Sequence, residues 1–401
     1  MALQPFFGNK GMNKMTASKG AFGESSLDID WRKTRLWDLD QSFEISDFEH
    51  VRFVGKGAHS IINLAKWNLN NQYYALKTCD KEKVIRFDYL NNLFREKDIL
   101  SEIDHPNVVK LEGTFKDETA LYFCLEYHSN GDLASLIRNN GPLPLNLTRF
   151  YVMQLINALE RMQEHKVVHR DIKPENILID ESFHCWIADF GWAKHIDPDR
   201  VDEEIRDINF TATDLWNDEV TEFEPNFDIS SSDSFKSTPW TRQQHTFVGT
   251  PIYVSPEMLL HNIACYGSDL WGLGWILYQC LCGIPPFQGA TQTIIYEQIL
   301  WTDYSLPNRI DAAASDLIKA LLKLDPTQRL GAGAPGSLND MEALKNHVFF
   351  KNQCFKAVHR LEAPQTSRLI IPSIDQDDDD SDIDDFERAS FHKTNSTKVH
   401  Y

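Results

Sequence analysis

The sequence is poor in cysteine, and its cysteines lack the spacings that hold a metal or build a disulfide framework. Seven cysteines are scattered along 401 residues, and no two of them form a Cys-x-x-Cys pair. An odd number of isolated thiols argues against a secreted, disulfide-stapled protein and against a structural zinc site. We therefore expect a reducing, cytoplasmic location.

The sequence also lacks a long apolar run. The longest stretch without a charged residue, 270–296, is interrupted by four glycines and by the pair Pro285-Pro286. Such interruptions are typical of a buried helix followed by a loop, and they are unusual in a membrane span. The sequence therefore predicts no membrane-spanning segment.

Basic residues are too few for a nucleic-acid partner. The chain has 40 Lys and Arg against 59 Asp and Glu, a formal net charge of −19. Most of this charge lies in segment 197–244, with 13 acidic and 4 basic residues, and in segment 361–401, with 10 acidic and 4 basic residues. Runs of one sign are normally solvated. Because no basic stripe is present to neutralise phosphates, we expect no nucleic-acid binding.

The rest of the pattern divides the chain into four segments. Residues 1–47 show no sustained period and read as an extension. In 48–127 five short apolar bursts separated by turn residues predict an antiparallel sheet, and in 128–352 the spacing becomes mostly helical. Residues 353–401 are an acidic tail that we expect to be disordered. The predicted fold class is α+β, with the acidic segment 197–244 as a mobile insert.

Two residues in the strand-rich segment 48–127 are placed to bind a nucleotide. Strand alternation puts Ala75 and Lys77 on one face, so that a flat base can lie beside a small side chain while an ammonium reaches its phosphates. A helix predicted over about 88–101 carries Glu96 on the same face as Leu93. An inward lysine needs a compensating carboxylate, and Glu96 can supply it.

A glycine-containing loop precedes these residues. The string Val54-Gly55-Lys56-Gly57-Ala58-His59-Ser60 falls between two predicted strands. Glycines there let backbone N–H groups approach a phosphate closely. A two-glycine hairpin turn explains the same residues, so this signal is weak by itself.

Four further signals follow in the helical segment. The string His169-Arg170-Asp171-Ile172-Lys173-Pro174-Glu175-Asn176 brings a base, two cations and an amide into one loop. Asp189-Phe190-Gly191 sets a carboxylate at the end of an apolar strand. Gly249-Thr250-Pro251 and Ser255-Pro256-Glu257 come after the acidic insert, and we expect Glu257 to form a buried pair with Arg329, the alternative being two solvated surface charges.

In this order and spacing, the strings resemble the signature set of eukaryotic protein kinases. This resemblance runs over about 48–350, and within that superfamily the strings IDHPNVVKL, HTFVGTPIYVSPEML and LDPTQRLG are similar to the AGC group of serine/threonine kinases. The resemblance implies a bilobal fold that binds ATP and Mg²⁺ in its cleft. A small antiparallel N-lobe would carry helix C, the helix of Glu96, and the larger C-lobe would be helical.

The resemblance also implies roles for individual residues. Asp171 would be the catalytic base, Lys173 would face the γ-phosphate, and Lys77 would hold the other phosphates and pair with Glu96. The magnesium ligands would be Asn176 and Asp189. The implied ATP-binding residues are Val54, Gly55, Lys56, Gly57, Ala58, His59, Ser60, Ile62, Ala75, Lys77, Glu126, His128, Asp132, Asn176 and Asp189.

Two regulatory features are implied in the same way. Thr246 would be a phosphorylation site whose phosphate is bound by Arg170, Lys194 and Arg95. One branch of the AGC group phosphorylates the activation loops of other members and receives their hydrophobic motifs on a groove beside helix C. The matching positions are Lys81, Val84, Ile85, Leu90, Leu93, Phe94, Lys97 and Lys116. The alternative for Leu90 and Leu93 is that they pack the helix on the sheet.

Three functions remain open. The chain is expected to be a kinase of that branch, a kinase of another AGC branch, or a non-catalytic scaffold. Other branches carry their own hydrophobic motif, and the tail offers only Phe386-Glu-Arg-Ala-Ser-Phe391, with a different spacing. The first function is therefore favoured, with other AGC kinases as protein partners. The residues after 350 are too few for a pleckstrin-homology domain, so we expect no direct phosphoinositide binding.

Overall fold

The described residues form two compact units. The structure, a computed structural model, describes residues 44–57, 59–206, 252–364 and 366–371. The first unit holds the described residues up to 98 together with 110–127, and the second holds 99–109 together with those from 128 to 371. The division falls close to the predicted change from strand to helix periodicity.

The first unit is built on a five-stranded antiparallel sheet, as the apolar bursts predict. Its strands follow the order β1-β2-β3-β5-β4. Their bounds are Phe48–Lys56 (β1), Ile61–Trp67 (β2), Tyr73–Asp80 (β3), Leu111–Lys116 (β4) and Ala120–Glu126 (β5). The connections from β1 to β2, from β2 to β3 and from β4 to β5 are short, which is typical of antiparallel pairing.

The two faces of this sheet differ in chemistry. The register sets Lys77 opposite Ile62 on one side and opposite Phe123 on the other, so the lysine shares its face with apolar residues. The other face carries an aromatic cluster in which Phe115 stacks on Tyr122 at 4.6 Å between ring centroids and on Phe48 at 5.6 Å. Burial of these rings leaves the Lys77 face as the one that can present polar chemistry.

Two helices interrupt the strands where the sequence predicts one. Helix α1 spans Lys81–Arg86, and α2 spans Leu90–Glu102 and continues into the second unit. The short α1 was missed because six residues are too few to show a helical period. Asp80 caps it by accepting a hydrogen bond from the Lys83 N–H at 2.9 Å.

The second unit is helical, with four short strands. Its helices are Leu133–Asn140 (α3), Leu145–Glu164 (α4), Pro198–Arg206 (α5), Pro256–His261 (α6), Tyr266–Cys282 (α7), Gln292–Trp301 (α8), Ala312–Leu321 (α9) and Met341–Lys345 (α10). The strands are Val167–Val168 (β6), Ile177–Ile179 (β7), Cys185–Ile187 (β8) and Lys194–His195 (β9). Helix α7 is apolar on all sides, and it is buried against α4 and α9.

Two expectations of disorder need correction. The insert 197–244 begins with the regular helix α5, whose Ile205 is buried, and its remainder lies outside the described residues. The tail carries a 3₁₀-helix, Phe355–Arg360, and the Asn157 amide donates to the Phe355 carbonyl at 2.9 Å. Charge counting overlooked these contacts because isolated apolar residues within a polar run suffice to anchor a short segment.

None of the described helices combines the length and the hydropathy that a membrane span requires.

Candidate active site

The first unit contains a buried ion pair between β3 and α2. The Lys77 ammonium donates to Glu96 Oε1 at 2.7 Å, and the two residues are 6% and 1% exposed. Strand alternation and helical spacing bring them together, as the sequence predicts. A buried ammonium needs such a partner because the cost of removing it from water is otherwise uncompensated.

The sheet face that carries Lys77 has open space at Gly55. Directly opposed residues share a face, so Gly55, Ile62, Ala75 and Lys77 lie on one side of the sheet. A Cβ atom placed on Gly55 would meet no atom within 4 Å. The chain itself therefore does not require glycine at this position, and the open space fits an external group such as a phosphate.

The tip of the same loop is closed by a tight turn. The Gly57 N–H donates to the Ser60 carbonyl at 2.8 Å. Val54 and Lys56 are exposed on the approach to this turn, and Ala58 lies outside the described residues. His59 turns its ring toward Phe87 and Tyr89, which are also in the first unit.

The second unit contains a polar loop centred on Asp171. The Lys173 ammonium donates to Asp171 Oδ2 at 2.7 Å. The Asn176 amide nitrogen donates to the same oxygen and to the Asp171 carbonyl, both at 2.8 Å. Asp171 and Lys173 are about a quarter exposed at 22% and 27% of their side chains. The carboxylate is thus oriented by two donors and still open to solvent.

Helix α7 anchors this loop through Asp269. Its carboxylate accepts hydrogen bonds from the backbone N–H groups of His169 at 2.7 Å and Arg170 at 2.9 Å. Burial raises the pKa of Asp269 to about 7, although the two N–H donors act in the opposite direction. A Cβ on Gly272 would lie 2.5 Å from the Ile172 carbonyl oxygen, so only glycine allows α7 to approach the loop this closely.

His169 connects the loop to the segment that carries Asp189. Burial lowers the pKa of His169, so the ring is neutral. Its Nε2 lies 3.0 Å from the Ala188 carbonyl and its Nδ1 accepts from the Asp171 N–H at 3.3 Å, contacts that assign the proton to Nε2. The ring also packs edge-on against Phe190 at 4.7 Å. The two polar segments are therefore held by one side chain.

Strained backbone occurs at both ends of this connection. Arg170 has φ 71° and Asp189 has φ 59°, which is the left-handed region that residues with side chains avoid. Strain of this kind is typical of functional sites, where the surrounding structure imposes it. The Asp269 and His169 contacts provide that surrounding structure.

Oxygen ligands for a divalent cation are present in the second unit. Asp189 is exposed, and Asn176 uses its amide nitrogen on Asp171, which leaves its amide oxygen without a donor among the described residues. Mg²⁺ prefers carboxylate and amide oxygens and is commonly held by one or two carboxylates together with substrate phosphates. These two side chains fit the predicted magnesium ligands.

Three further predicted nucleotide contacts lie within 126–132 of the chain, the first in the first unit and the other two in the second. The Glu126 N–H donates to the Lys110 carbonyl at 3.0 Å in the first unit. In the second, the His128 ring stacks on Trp186 at 4.6 Å, and the Asp132 carboxylate caps α3 by accepting from the Ser135 N–H at 2.7 Å. Asp132 therefore has a structural role in addition to any contact with a ligand.

Thr246 lies outside the described residues, whereas the three cations expected to bind its phosphate are described. Arg170 donates from Nε to the Trp192 carbonyl at 2.5 Å, and Lys194 is exposed on β9. Arg95 is half-exposed on α2 in the first unit. Their phosphate-binding role stays a prediction.

The expected pair of Glu257 and Arg329 is present and completely buried. Two nearly parallel hydrogen bonds of 2.8 Å and 2.7 Å join the guanidinium to the carboxylate, and both side chains are 0% exposed. Burial alone would raise the pKa of Glu257, but Arg329 holds it below its ordinary value. The alternative of two solvated surface charges is wrong.

The predicted docking groove needs correction. Val84 and Leu93 are 1% and 0% exposed, so they pack in the interior and form no surface. An apolar residue on a helix satisfies a groove and a core equally well in the sequence, and here the core is what the structure contains. Of the remaining positions, Ile85 is 64% exposed, and the Lys81 ammonium donates to the Asp117 carbonyl. The other exposed or half-exposed positions are Leu90, Phe94, Lys97 and Lys116.

Two supporting residues were missed by the sequence reasoning. Asp269 and His169 orient the Asp171 loop, yet neither was assigned a function. Asp269 contacts residues about 100 positions earlier in the chain. The sequence signal that was available is an acidic residue near the start of an otherwise apolar helix, since a charge there needs partners.

Comparison with protein families gives one match over most of the chain. Residues 48–350 match the family described as protein kinase domain. This range includes the Lys77–Glu96 pair, the Asp171 loop and the segment that carries Asp189.

Comparison with individual proteins gives relatives in animals, plants and fungi. The chain is 34% identical over 337 residues to 3-phosphoinositide-dependent protein kinase 1 of Homo sapiens, a match covering 83% of this chain and 52% of that protein. It is 33% identical over 365 residues to the Arabidopsis thaliana protein of the same name, covering 91% and 66%. It is 34% identical over 337 residues to the putative 3-phosphoinositide-dependent protein kinase 2 of Homo sapiens, covering 83% and 74%. The chain thus spans about half the length of the first of these relatives.

Proposed function

The chain belongs to the protein kinase family. We propose that it is an active serine/threonine kinase, which transfers the γ-phosphate of ATP to protein hydroxyl groups. The observation that carries the proposal is the oriented Asp171 carboxylate, with Lys173 and Asn176 bonded to it at 2.7 Å and 2.8 Å. The bilobal α+β kinase fold agrees with the described sheet and helices. A scaffold would not need to maintain these contacts.

The residues divide the work of phosphoryl transfer. Such a reaction needs alignment and charge neutralisation more than covalent chemistry. Asp171 accepts the proton of the attacking hydroxyl, and Lys173 stabilises the negative charge on the transferred group. Lys77, kept in place by Glu96, binds the remaining phosphates.

The cofactor would be held by the second unit's oxygen ligands. Asn176 and Asp189 are the residues that would bind Mg²⁺, which when bound supplies positive charge that neutralises the phosphates. Ile62, Ala75 and the Gly55 backbone provide the surface on which the nucleotide rests.

The substrate class is proposed from the relatives and from the surface beside α2. Proteins named 3-phosphoinositide-dependent protein kinase are about a third identical to this chain over the aligned residues. We place its substrates among other AGC kinases, whose hydrophobic motifs would dock on Ile85, Leu90 and Phe94 with Lys97 and Lys116 nearby. The lysines are suited to an acidic or phosphorylated residue in the motif. A cytoplasmic location is part of the same proposal.

Self-phosphorylation at Thr246 is a further part of the proposal. The string Thr246-Phe247-Val248-Gly249-Thr250 resembles the sequences that the related kinases modify. Intact-mass analysis of protein expressed in bacteria should find phosphate on Thr246 in the wild type and none in Asp171→Asn. Equal phosphate in both proteins would contradict self-phosphorylation.

The main test is phosphate transfer to a peptide panel. Purified protein is incubated with MgATP and peptides from AGC activation loops, with shuffled peptides as a control and Asp171→Asn as the matched inactive variant. Phosphate on activation-loop threonines in the wild type alone supports the proposal. Transfer restricted to unrelated sequences would indicate another AGC branch, and an absence of transfer would indicate a scaffold.

A further inference from the structure

The tip of the glycine-containing loop makes a contact that the roles above do not use. The His59 ring lies 4.6 Å from the Tyr89 ring and 5.2 Å from the Phe87 ring, with tilts of 40° and 41°. These separations are within the range of favourable aromatic pairs. All three residues belong to the first unit, so the contact is internal to it.

The two aromatic residues stand on a fixed platform. They lie in the linker 87–89 between α1 and α2, and each linker residue donates its N–H back to α1. Phe87 bonds the Lys83 carbonyl at 3.0 Å, and Tyr89 bonds the Val84 carbonyl at 2.9 Å. The intervening Asp88, with φ 51°, bonds Ile85 at 3.2 Å. A linker with every amide committed keeps its rings in place.

The chemistry of His59 shows that the ring acts as a flat aromatic group. Both of its nitrogens are buried and have no hydrogen-bond partner among the described residues. Burial lowers the pKa of His59, which keeps the ring neutral. Buried polar atoms without partners are costly, so the stacking with Tyr89 and Phe87 must compensate for them.

The position of His59 gives this contact a consequence for the nucleotide. His59 lies two residues after Gly57 and directly before Ser60, the two residues that close the loop's turn. A loop whose tip is anchored loses less conformational freedom when it closes on a ligand, and this preorganisation strengthens binding. We propose that His59, seated on Phe87 and Tyr89, is a positioning residue that holds the glycine-containing loop ready for the phosphates of ATP. This inference rests on the proposed function, which assigns ATP to that loop.

The test measures nucleotide binding and turnover in the full chain. The dissociation constant of MgATP is obtained by competition with a fluorescent ATP analogue, and KM and kcat are measured with a peptide substrate. His59→Ala and Tyr89→Ala should each raise the dissociation constant and the KM for ATP about three- to tenfold. The kcat should change less than the KM, because the proposed function assigns the reacting atoms to Asp171 and Lys173 and not to these two side chains.

Three comparisons separate positioning from a general loss of structure. The double variant His59→Ala/Tyr89→Ala should bind ATP no more weakly than the weaker single variant, since both remove one contact. His59→Phe keeps the stacking and should bind like the wild type. Tyr73→Ala is the control, because it makes the same change as Tyr89→Ala at a 52% exposed tyrosine of the same unit, and it should leave binding unchanged.

The inference is overturned by additive effects in the double variant, by a His59→Phe protein as weak as His59→Ala, or by an equal loss in Tyr73→Ala. Its failure is distinguishable from failure of the proposed function. Wild-type protein that binds MgATP but transfers no phosphate contradicts the proposed activity alone, and the binding constants then still decide the role of His59. Wild-type protein that binds no MgATP contradicts both.

Discussion

Two ion pairs of the second unit have the same length and opposite surroundings. Arg329–Glu257 and Lys173–Asp171 are both 2.7 Å apart, but the side chains of the first are 0% exposed and those of the second are 27% and 22% exposed. The comparison shows how one kind of interaction serves two purposes. Arg329–Glu257, the closed pair, joins parts of the fold. Lys173–Asp171, the open pair, remains accessible to a substrate.

The closed pair has no bonding capacity left. A guanidinium has five N–H donors, and those of Arg329 reach Glu257 twice and the carbonyls of Lys323, Leu324 and Gly267. In the open pair, the Lys173 ammonium donates only to Asp171 within the described part of the chain. A charge whose donors are all used cannot respond to a ligand, whereas one with donors facing water can.

The largest expected effect comes from breaking the open pair. Asp171→Asn removes the proton acceptor while preserving the shape of the side chain, so phosphate transfer should fall by about 10²–10⁴-fold. The thermal midpoint should change little, because the carboxylate is partly exposed and an amide can still bond Lys173 and Asn176 weakly. Steady-state rates and a thermal scan measure the two quantities. Activity within about tenfold of wild type would remove Asp171 from the catalytic role.

Breaking the closed pair should instead lower the stability of the protein. Arg329→Met leaves the Glu257 carboxylate buried without its partner, and the free energy of unfolding should fall by about 3–5 kcal/mol. Urea unfolding measures this loss. Arg161→Met is the matched control, since Arg161 pairs with Glu164 at the surface with 38% of its side chain exposed, and it should cost less than about 1 kcal/mol.

The double variant Arg329→Met/Glu257→Gln tests the reason for that loss. Removing the orphaned charge should recover part of the stability, because the penalty is mainly the uncompensated carboxylate. A double variant that is less stable than Arg329→Met would show that Glu257 is important through its other contacts, such as the 2.7 Å hydrogen bond from Ser268.

The predicted docking positions show the same contrast, because Ile85 is exposed and Leu93 is buried. A peptide of the Phe-x-x-Phe type ending in Asp should raise the rate toward a short activation-loop peptide several-fold if the docking proposal holds. Ile85→Glu, at a 64% exposed position, should abolish this stimulation and leave the unstimulated rate and the stability near those of wild type. Stimulation that survives the change would place docking elsewhere.

Leu93 provides the counterpart to Ile85. It is fully buried, so Leu93→Glu should lower the free energy of unfolding by several kcal/mol through burial of a charge. A stable Leu93→Glu protein with normal unstimulated activity would mean that Leu93 is accessible in solution and belongs to the docking surface after all.

Sequence reasoning succeeded where one local period determines the outcome. Strand alternation correctly predicted that Ala75 and Lys77 share a face, and helical spacing correctly predicted that Glu96 points inward. It failed where a residue's surroundings depend on distant parts of the chain. Leu93 was assigned to a groove, with packing of the helix on the sheet as the alternative, and its burial agrees with the alternative.

The supporting contacts of the site illustrate the same limit. Asp269 meets the backbone of His169 and Arg170 only after folding, and the sequence offers no periodic signal for a contact between residues 100 positions apart. Helix α1 was missed for a different reason, since its start depends on the single capping bond of Asp80. The residues of a motif can be identified from the sequence, whereas the distant residues that support the motif can be identified only from the folded structure.

The smallest expected effect concerns His105, a half-buried group whose surroundings favour its neutral form. Burial lowers the pKa of His105 from 6.5 to about 4, with further lowering by His359 and Arg161 and opposing contributions from Asp104 and Glu164. The folded state thus keeps His105 neutral at a pH where the unfolded chain binds a proton. Its contribution to stability is fully present above pH 6.5 and is lost as the pH falls toward 4.

A non-titrating variant isolates this contribution. His105 Nδ1 accepts the Asn107 N–H at 3.1 Å, and in His105→Asn the new amide oxygen can accept the same N–H while binding no proton. Urea midpoints measured between pH 7 and pH 4.5 should therefore fall less steeply for His105→Asn than for the wild type, because the other titrating groups are common to both proteins and cancel in the difference. Parallel curves would mean that His105 becomes charged without cost in the folded state. In that case the argument made for Arg329→Met, that a buried charge without its partner is costly, would not extend to this half-buried position.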